Sequence, residues 1–258
     1  MRAAMRLGAH LSEGIAVGFR HGFDSGPMLD YVYENQPRGR GALGRLADTI
    51  YLNQIGWRAI RARKALLQRY LRQTLLARRE HRLTTHLADI AAGPGRYHLE
   101  LLAELGGEDI RLTCRDFDGR GLEQGRALAA HMGLRERVQY ERGDATDPVD
   151  LARIAPTPEI VVASGIYEIL TDDGAVRRSM QGVRAILPTG GTFVFTTQVT
   201  HPQLKLIANV LTNRNGEPWV MGTRSLSKVE GWAREAGFSS VSSELEPLGL
   251  FGVTMCVV

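Results

Sequence analysis

Cysteine is nearly absent from this 258-residue sequence: only Cys114 and Cys256 occur. Each sits in an apolar, strand-like stretch and reads as a buried reduced thiol. No cysteine pair has zinc-ligand spacing, so no metal site is expected. No apolar run reaches the roughly eighteen residues that would span a bilayer. The stretch from Met1 to Gly18 lacks a continuous apolar core and a small-residue cleavage site. It therefore reads as no secretory signal, and a cytoplasmic location is the expectation. There is no recognised RNA-binding module and no clear aromatic stacking series, which places RNA low among partners and gives no reason to expect DNA. A Gly-Lys-Ser/Thr sequence after a glycine-rich turn is missing, which excludes a P-loop.

Acidic residues are also missing from one long segment. Between Arg58 and Arg82 the cations are Arg58, Arg61, Arg63, Lys64, Arg69, Arg72, Arg78, Arg79 and Arg82, against the single acid Glu80. The net charge of the whole chain is only +4, so most of the excess lies there. Three accounts fit the residues: a solvated helix face, a surface that meets anionic lipid or a phosphorylated substrate through helix 57–82, and RNA binding.

What is present divides near residue 83. Before it come helix-like segments at Gly8 to Phe19 and Pro27 to Glu34, a breaker-rich loop Gln36-Pro37-Arg38-Gly39-Arg40-Gly41, and a long helix from about Leu46 to Arg79, interrupted near Gly56. Residues 1–82 are thus expected to form a helical extension or lid. From 83 to 258 strand, turn and helix alternate. Strands are expected at Leu83 to Ala91, Ile110 to Arg115, Val138 to Glu141, Ile160 to Ser164 and Gly191 to Thr197. A final pair is expected at Ser239 to Pro247 and Phe251 to Val258. This alternation predicts an α/β fold, a mainly parallel sheet with helices on both faces.

Three features fall in order on that pattern. The turn Ala91-Ala92-Gly93-Pro94-Gly95 closes the first strand, where small residues let backbone approach a ligand and the next helix offers unpaired N–H groups. Asp116 closes the second strand, placed to accept hydrogen bonds from ribose hydroxyls. Gly143-Asp144-Ala145 follows the third strand, where an acid can accept from an adenine amino group. A dinucleotide fingerprint competes, but His98 stands where that fingerprint needs a third small residue for tight helix–strand packing.

Together, Asp89-Ile90-Ala91-Ala92-Gly93-Pro94-Gly95, Asp116 and Gly143-Asp144-Ala145 resemble motifs of class I S-adenosylmethionine-dependent methyltransferases, over roughly Leu83 to Val258. The resemblance implies a Rossmann-like seven-stranded sheet with an antiparallel last strand, S-adenosyl-L-methionine as cofactor and S-adenosyl-L-homocysteine as product. It implies that Ala91, Gly93 and Gly95 pack against the methionine part, that Asp116 holds the ribose with Phe117 beside the adenine, and that Asp144 and Ala145 meet the adenine edge, with Ser164 and Gly165 also at the cofactor. Ser164-Gly165-Ile166-Tyr167-Glu168, Gln198-Val199-Thr200-His201-Pro202-Gln203-Leu204 and Pro218-Trp219-Val220-Met221 are similar to a little-characterised bacterial methyltransferase family. Some of its members are fused to an α/β-hydrolase domain, an association with lipid or small-metabolite chemistry.

The acceptor is expected over the ends of strands four and five. The Asp/Asn-Pro-Pro-Tyr/Phe signature of amino-methyltransferases is absent there; the sequence is Ser164-Gly165-Ile166-Tyr167. His201 is the candidate base, since imidazole titrates near neutral pH, or else a His-Pro turn before the next helix. Tyr167 is a second catalytic candidate that otherwise lines the pocket. Glu168 and Gln198 are expected at the substrate, and Glu168 alternatively anchors its loop to an arginine. His21, Asp24 and Tyr31 are expected to close the site from the N-terminal segment, unless they belong to a helix-connecting turn capped by Ser25 or Asp24. The expected activity is methyl transfer, largely by positioning, to a small-molecule or lipid-like acceptor. The alternatives are an RNA methyltransferase and an inactive cofactor-binding scaffold.

Overall fold

The computed structural model describes residues 2–81 and 83–258. Seven strands form its centre: β1 (Thr85–Asp89), β2 (Ile110–Asp116), β3 (Val138–Arg142), β4 (Ile160–Ala163), β5 (Thr192–Gln198), β6 (Ser240–Leu245) and β7 (Phe251–Val257). They lie in one sheet in the order β3-β2-β1-β4-β5-β7-β6. β7 runs antiparallel to both of its neighbours, and the first five strands are parallel. This is the Rossmann-like arrangement the resemblance implies. The apolar runs of β4 and β5 are buried throughout, as strands covered on both faces must be, whereas the edge strand β6 is mostly exposed. From β1 the chain proceeds outward through β2 and β3, then returns to place β4 on β1's other side. Such a switch point opens a crevice at the strands' C-terminal ends.

Among the described residues eleven α-helices accompany the sheet: α1 (Arg2–Gly8), α2 (Glu13–His21), α3 (Gly26–Glu34), α4 (Gly41–Leu52), α5 (Ile55–Glu80), α6 (Arg96–Leu105), α7 (Gly119–His131), α8 (Pro148–Leu151), α9 (Asp173–Ile186), α10 (Leu204–Val210) and α11 (Leu226–Glu235). Leu67, Leu71 and Leu75 of α5 pack with Leu99 of α6 on one face of the sheet, against Leu112, Val162 and Val253. On the other face Val176, Met180 and Val183 of α9 and Val229 of α11 cover Val161, Phe193 and Phe195. The expected division near residue 83 is therefore corrected. Helix α5 is one of the sheet's own covering layers, whereas α3 and α4 pack with α10 in a separate cluster that meets the start of α5. The expected break near Gly56 is also displaced: the chain turns at Asn53 and Gln54, and the extended Gln54 opens α5.

The arginine-rich segment finds its acids across this interface. Lys64 pairs with Glu100, Arg69 with Glu244, Arg72 with Glu104 and Arg79 with Asp109, at 2.5 to 2.8 Å. Arg78 lies 3.9 Å from Glu159. Arg82 lies outside the described residues. The cations of α5 look unbalanced in sequence because their partners sit on α6, the β1–β2 connection and β6. Exposed pairs of this kind contribute about 0–1 kcal/mol each, so they set the helix's register more than its stability.

Candidate active site

Two cavities open beside each other at the C-terminal ends of the strands. The first, of about 380 Å³, is floored by the turn from Ile90 to Tyr97 and bounded by Asp116, Phe117, the loop Gly143–Thr146 and Ser164–Ile166. It thus gathers every residue expected at the cofactor, Ala91, Gly93, Gly95, Asp116, Phe117, Asp144, Ala145, Ser164 and Gly165. Gly95 adopts φ +72° as it opens α6, and a Cβ there would lie 2.8 Å from Cys114 Sγ. The tight turn leaves the first N–H groups of α6 at the end of β1, the natural seat of polar ligand atoms.

Asp116 organises the turn as well as facing the cavity. One carboxylate oxygen accepts from the Gly93 N–H and the other from the Asp118 N–H, both at 2.8 Å. Burial pushes its carboxyl above the usual range, against the pull of those two donors. Asp144 holds its own loop by accepting from the Thr146 N–H and hydroxyl. Phe117 is 69% exposed at the rim, with the Arg142 guanidinium 5.9 Å from its ring centre. His98 is accommodated by chemistry where a dinucleotide site would use a small side chain. Its Nε2 lies 2.7 Å from Asp89, which also accepts from the Tyr97 hydroxyl and, at 2.9 Å, from the Ala91 N–H. Asp89 thereby ties strand, turn and helix together.

The N-terminal helices and a late loop close this cavity from above. Asp24 accepts from the Arg214 N–H at 2.6 Å and from its Nε at 3.2 Å. Arg96, in the turn itself, donates to Glu34 at 2.7 Å and pairs with Asp30 of α3. Asp30, Tyr33 and Asn213–Asn215 also line the cavity; nothing in local sequence links them to the strand-end loops that form its floor. Two expected lid residues are corrected. Tyr31 is buried and donates to Asp48, which also accepts from Ser12 and from the Gly14 and Arg38 N–H groups. His21 lies outside both cavities, near Arg20, Arg120 and Asp118, where burial and the two arginines lower its pKa. Ser25, not Asp24, caps α3 by accepting from the Met28 N–H.

The second cavity, of about 330 Å³, is walled largely by apolar side chains, including Trp57, Ile60, Ile207, Trp219 and Phe251. Trp57 and Trp219 stack with ring centres 6.1 Å apart. All three segments of the narrower resemblance converge here, through Gly165 and Glu168, through Gln198, His201 and Gln203, and through Trp219 and Met221. Asp24, Leu29, Gly165 and Ile169 border both cavities.

Polar groups are few in this cavity and incompletely satisfied. Glu168 pairs with Arg63 at 3.1 Å, the loop-anchoring arginine expected from sequence, and accepts from the Thr196 hydroxyl at 2.7 Å. Its Oε2 has no partner among the described residues. Gln198 is fully buried, and neither amide atom has a partner among the described residues. The indole N–H of Trp219 is equally unmatched. An unpaired buried polar atom costs about 1–3 kcal/mol, so this many at one wall point to a ligand that satisfies them.

His201 lines the same wall, and its geometry corrects the base role. Its Nδ1 accepts the Gln203 N–H at 3.0 Å, so in the neutral ring the proton sits on Nε2. Burial lowers its pKa and keeps the ring neutral. The nitrogen left over, Nε2, is therefore a donor. Tyr167 is likewise corrected: it turns away from both cavities, packs on Phe195 and donates to Ser179 at 3.0 Å. Arg224 holds the Glu168 loop in place by donating to the Tyr167 and Leu170 carbonyls at 2.6 and 2.7 Å. Among the described residues no group of His, Cys, Asp and Glu is arranged to hold a metal ion. No described helix is long and apolar enough to cross a membrane.

This architecture recurs in solved structures. A possible exported protein from Bordetella parapertussis superimposes with a TM-score of 0.72, at 18% identity over 90% of this chain and 79% of that one. Magnesium protoporphyrin IX methyltransferase from Synechocystis PCC 6803, solved with bound S-adenosylhomocysteine, does so with a TM-score of 0.60, at 10% identity over 93% and 98%. Identities this low speak for a shared fold. In sequence, the uncharacterized protein YnbC of Escherichia coli (strain K12) is 42% identical over the whole of this chain, which spans 44% of that protein's length. The family described as "Putative methyltransferase" matches residues 1–257, and this chain belongs to it.

Proposed function

We propose that the chain binds S-adenosylmethionine in the polar cavity and transfers its methyl group to an apolar small-molecule or lipid-like acceptor in the neighbouring one. The observation that carries this reading is the shared border of Asp24, Leu29, Gly165 and Ile169. A donor and an acceptor bound in these two spaces meet without solvent between them.

The residues suit the cofactor. The polar cavity's size falls within the range of small-molecule sites. Asp116, immobilised by two backbone N–H groups, offers its remaining lone pairs to ribose hydroxyls. Gly93 and Gly95 leave room for the methionine part beside the start of α6. Asp144 and Ala145 face the adenine edge, and Phe117 supplies a ring to cover it. Bound there, the cofactor supplies a methyl group already activated on sulfur, so the protein's task is to position the acceptor.

The apolar cavity does that positioning. The two tryptophans and Phe251 hold an apolar body. The Gln198 amide and the Trp219 N–H orient its polar end, and His201 Nε2–H donates to it. Glu168 Oε2 accepts from a protic group, with Arg63 compensating the carboxylate's charge. A charged acceptor body gains nothing in a space lined this way.

Calorimetry with S-adenosylmethionine and S-adenosylhomocysteine tests the donor site, and failure to bind either removes this reading. Labelled methyl transfer into separated lipid, small-molecule, RNA and protein fractions tests the acceptor. Label is expected in the lipid or small-molecule fraction; label confined to RNA replaces the acceptor proposed, and binding without transfer anywhere favours a scaffold.

A further inference from the structure

We infer that the mouth of the apolar cavity is a membrane-docking face, which takes the acceptor from the surface of an anionic bilayer. This rests on the proposed acceptor site and adds where its substrate comes from.

The outer face of α4 is apolar where a solvated helix would be polar. Leu43, Leu46 and Ile50 are 73%, 56% and 57% exposed. Spaced three and four residues apart, they form one stripe. The stripe leads into the cavity, since Ala47 and Ile50 line it. On the facing wall, Leu206 of α10 lines the cavity and is 41% exposed. Grouped apolar exposure at a cavity mouth marks a contact surface rather than ordinary scatter.

Cations accompany the stripe in sequence. Arg40 precedes α4 and Arg45 lies on it, Arg58 and the partly buried Arg61 follow at the start of α5, and Lys205 stands beside Leu206. Among the described residues none of the five has a carboxylate within ion-pair distance, whereas the later cations of α5 are paired. Four acids of the same region are already engaged: Asp24 with Arg214, Asp30 and Glu34 with Arg96, and Asp48 with Ser12 and Tyr31. Among the described residues, the α5 cations without an acidic partner, Arg58 and Arg61, thus lie in its first two turns.

An apolar stripe rimmed by unpaired cations fits an interface with acidic headgroups: the leucines enter the acyl boundary and the arginines meet phosphates. RNA gains from the cations but leaves exposed aliphatic side chains unused, and stacking would call for aromatics. A second copy would bring the same cations face to face. A bilayer uses both features, and it lets an apolar acceptor enter the cavity without crossing water.

Co-sedimentation with vesicles tests this on the full chain. Binding is expected to vesicles of equal parts phosphatidylglycerol and phosphatidylcholine, and to weaken with added salt. It is expected to be at least about tenfold weaker to phosphatidylcholine alone. The exposed double variants Leu43→Glu with Leu46→Glu, and Arg45→Glu with Arg58→Glu, are each expected to lower anionic-vesicle binding by about tenfold or more. Affinity for S-adenosylmethionine should stay the same in both. Several results overturn the inference: no vesicle binding by the wild-type chain, equal binding to both compositions, undiminished binding by either variant, or a dimer that Leu43→Glu with Leu46→Glu dissociates. RNA displacing the chain from vesicles while the leucine variant binds that RNA unchanged also overturns it. Cofactor binding without vesicle binding discards only the docking face, and vesicle binding without cofactor binding discards only the methyltransferase reading.

Discussion

Arg63 Nη1 and Glu168 Oε1 lie 3.1 Å apart, although 105 residues separate them in the chain. Both side chains are almost fully buried, at 2% and 5% exposure. The pair fastens the helix that covers the sheet to the loop leaving β4, at the base of the apolar cavity. Arg63 also donates to the Tyr33 hydroxyl at 3.2 Å, so α3 is held by the same guanidinium.

Replacing Arg63 with Met leaves Glu168 buried without its partner. The expected cost is about 3–5 kcal/mol in urea unfolding. Adding Glu168→Leu should recover much of the stability but not the turnover, because the cavity then lacks its carboxylate. A single variant as stable as the wild-type chain would show that the pair is not buried in solution.

Asp116→Asn keeps the side chain's shape and removes its charge. Loss of a charge-assisted contact to the ribose corresponds to about 10–100-fold weaker S-adenosylmethionine binding in calorimetry. Because Asp116 also accepts the Gly93 N–H, the melting temperature should be read alongside. Unchanged affinity in a folded variant removes Asp116 from the cofactor site.

The pH dependence of His201 has a definite sign. Burial lowers its pKa below the ordinary 6.5, so the unfolded chain binds the proton more readily than the folded one. The stability this residue contributes is complete above about pH 6.5 and declines as pH falls through the lower folded value. Urea midpoints at about pH 7 and about pH 5 should therefore fall less steeply in His201→Gln than in the wild-type chain. As for turnover, the Gln amide can still donate a hydrogen bond, so His201→Gln should retain far more activity than His201→Ala. Equal and complete loss in both would restore the base role.

Tyr167→Phe removes the hydroxyl that bonds Ser179 and nothing that faces either cavity. It should cost about 1 kcal/mol of stability and leave turnover intact. A selective fall in turnover without loss of stability would place Tyr167 in the chemistry after all.

Gly95→Ala should destabilise the chain by about 1–3 kcal/mol, since the residue sits at positive φ and the added Cβ meets Cys114 Sγ. Thermal unfolding measures this. The loss should be smaller when Cys114→Ala is present, which separates steric clash from backbone strain.

The elements most legible in the sequence were those built from neighbours. The alternation of strands and helices, the glycine turn and the acids closing β2 and following β3 depend on local pattern, and they assemble one cavity because successive parallel strands bring their ends together. Strand ends lie within two residues of their expected places, whereas α2 and α4 begin five residues from theirs, and α1, α8 and α10 are short segments with little periodicity to read. Burial was less legible. Tyr167, Tyr31 and His201 look alike as polar residues near a motif, but only the packing turns Tyr167 onto Phe195, gives Tyr31 to Asp48 and commits His201 Nδ1 to the Gln203 N–H.

By itself, then, the sequence determined the sheet and the floor of the polar cavity, because both arise from contacts between adjacent strand ends whose order the chain dictates. Tertiary structure alone decided the apolar cavity, whose walls come from α4, α5, β5, α10 and the Trp219 segment, brought together by burial of apolar surface that carries no positional code. It also decided the meaning of the charge. A run of arginines reads as basic in one dimension, but its field depends on acids that reach it only through folding, and among its described cations those left without an acid, Arg58 and Arg61, lie at the start of α5.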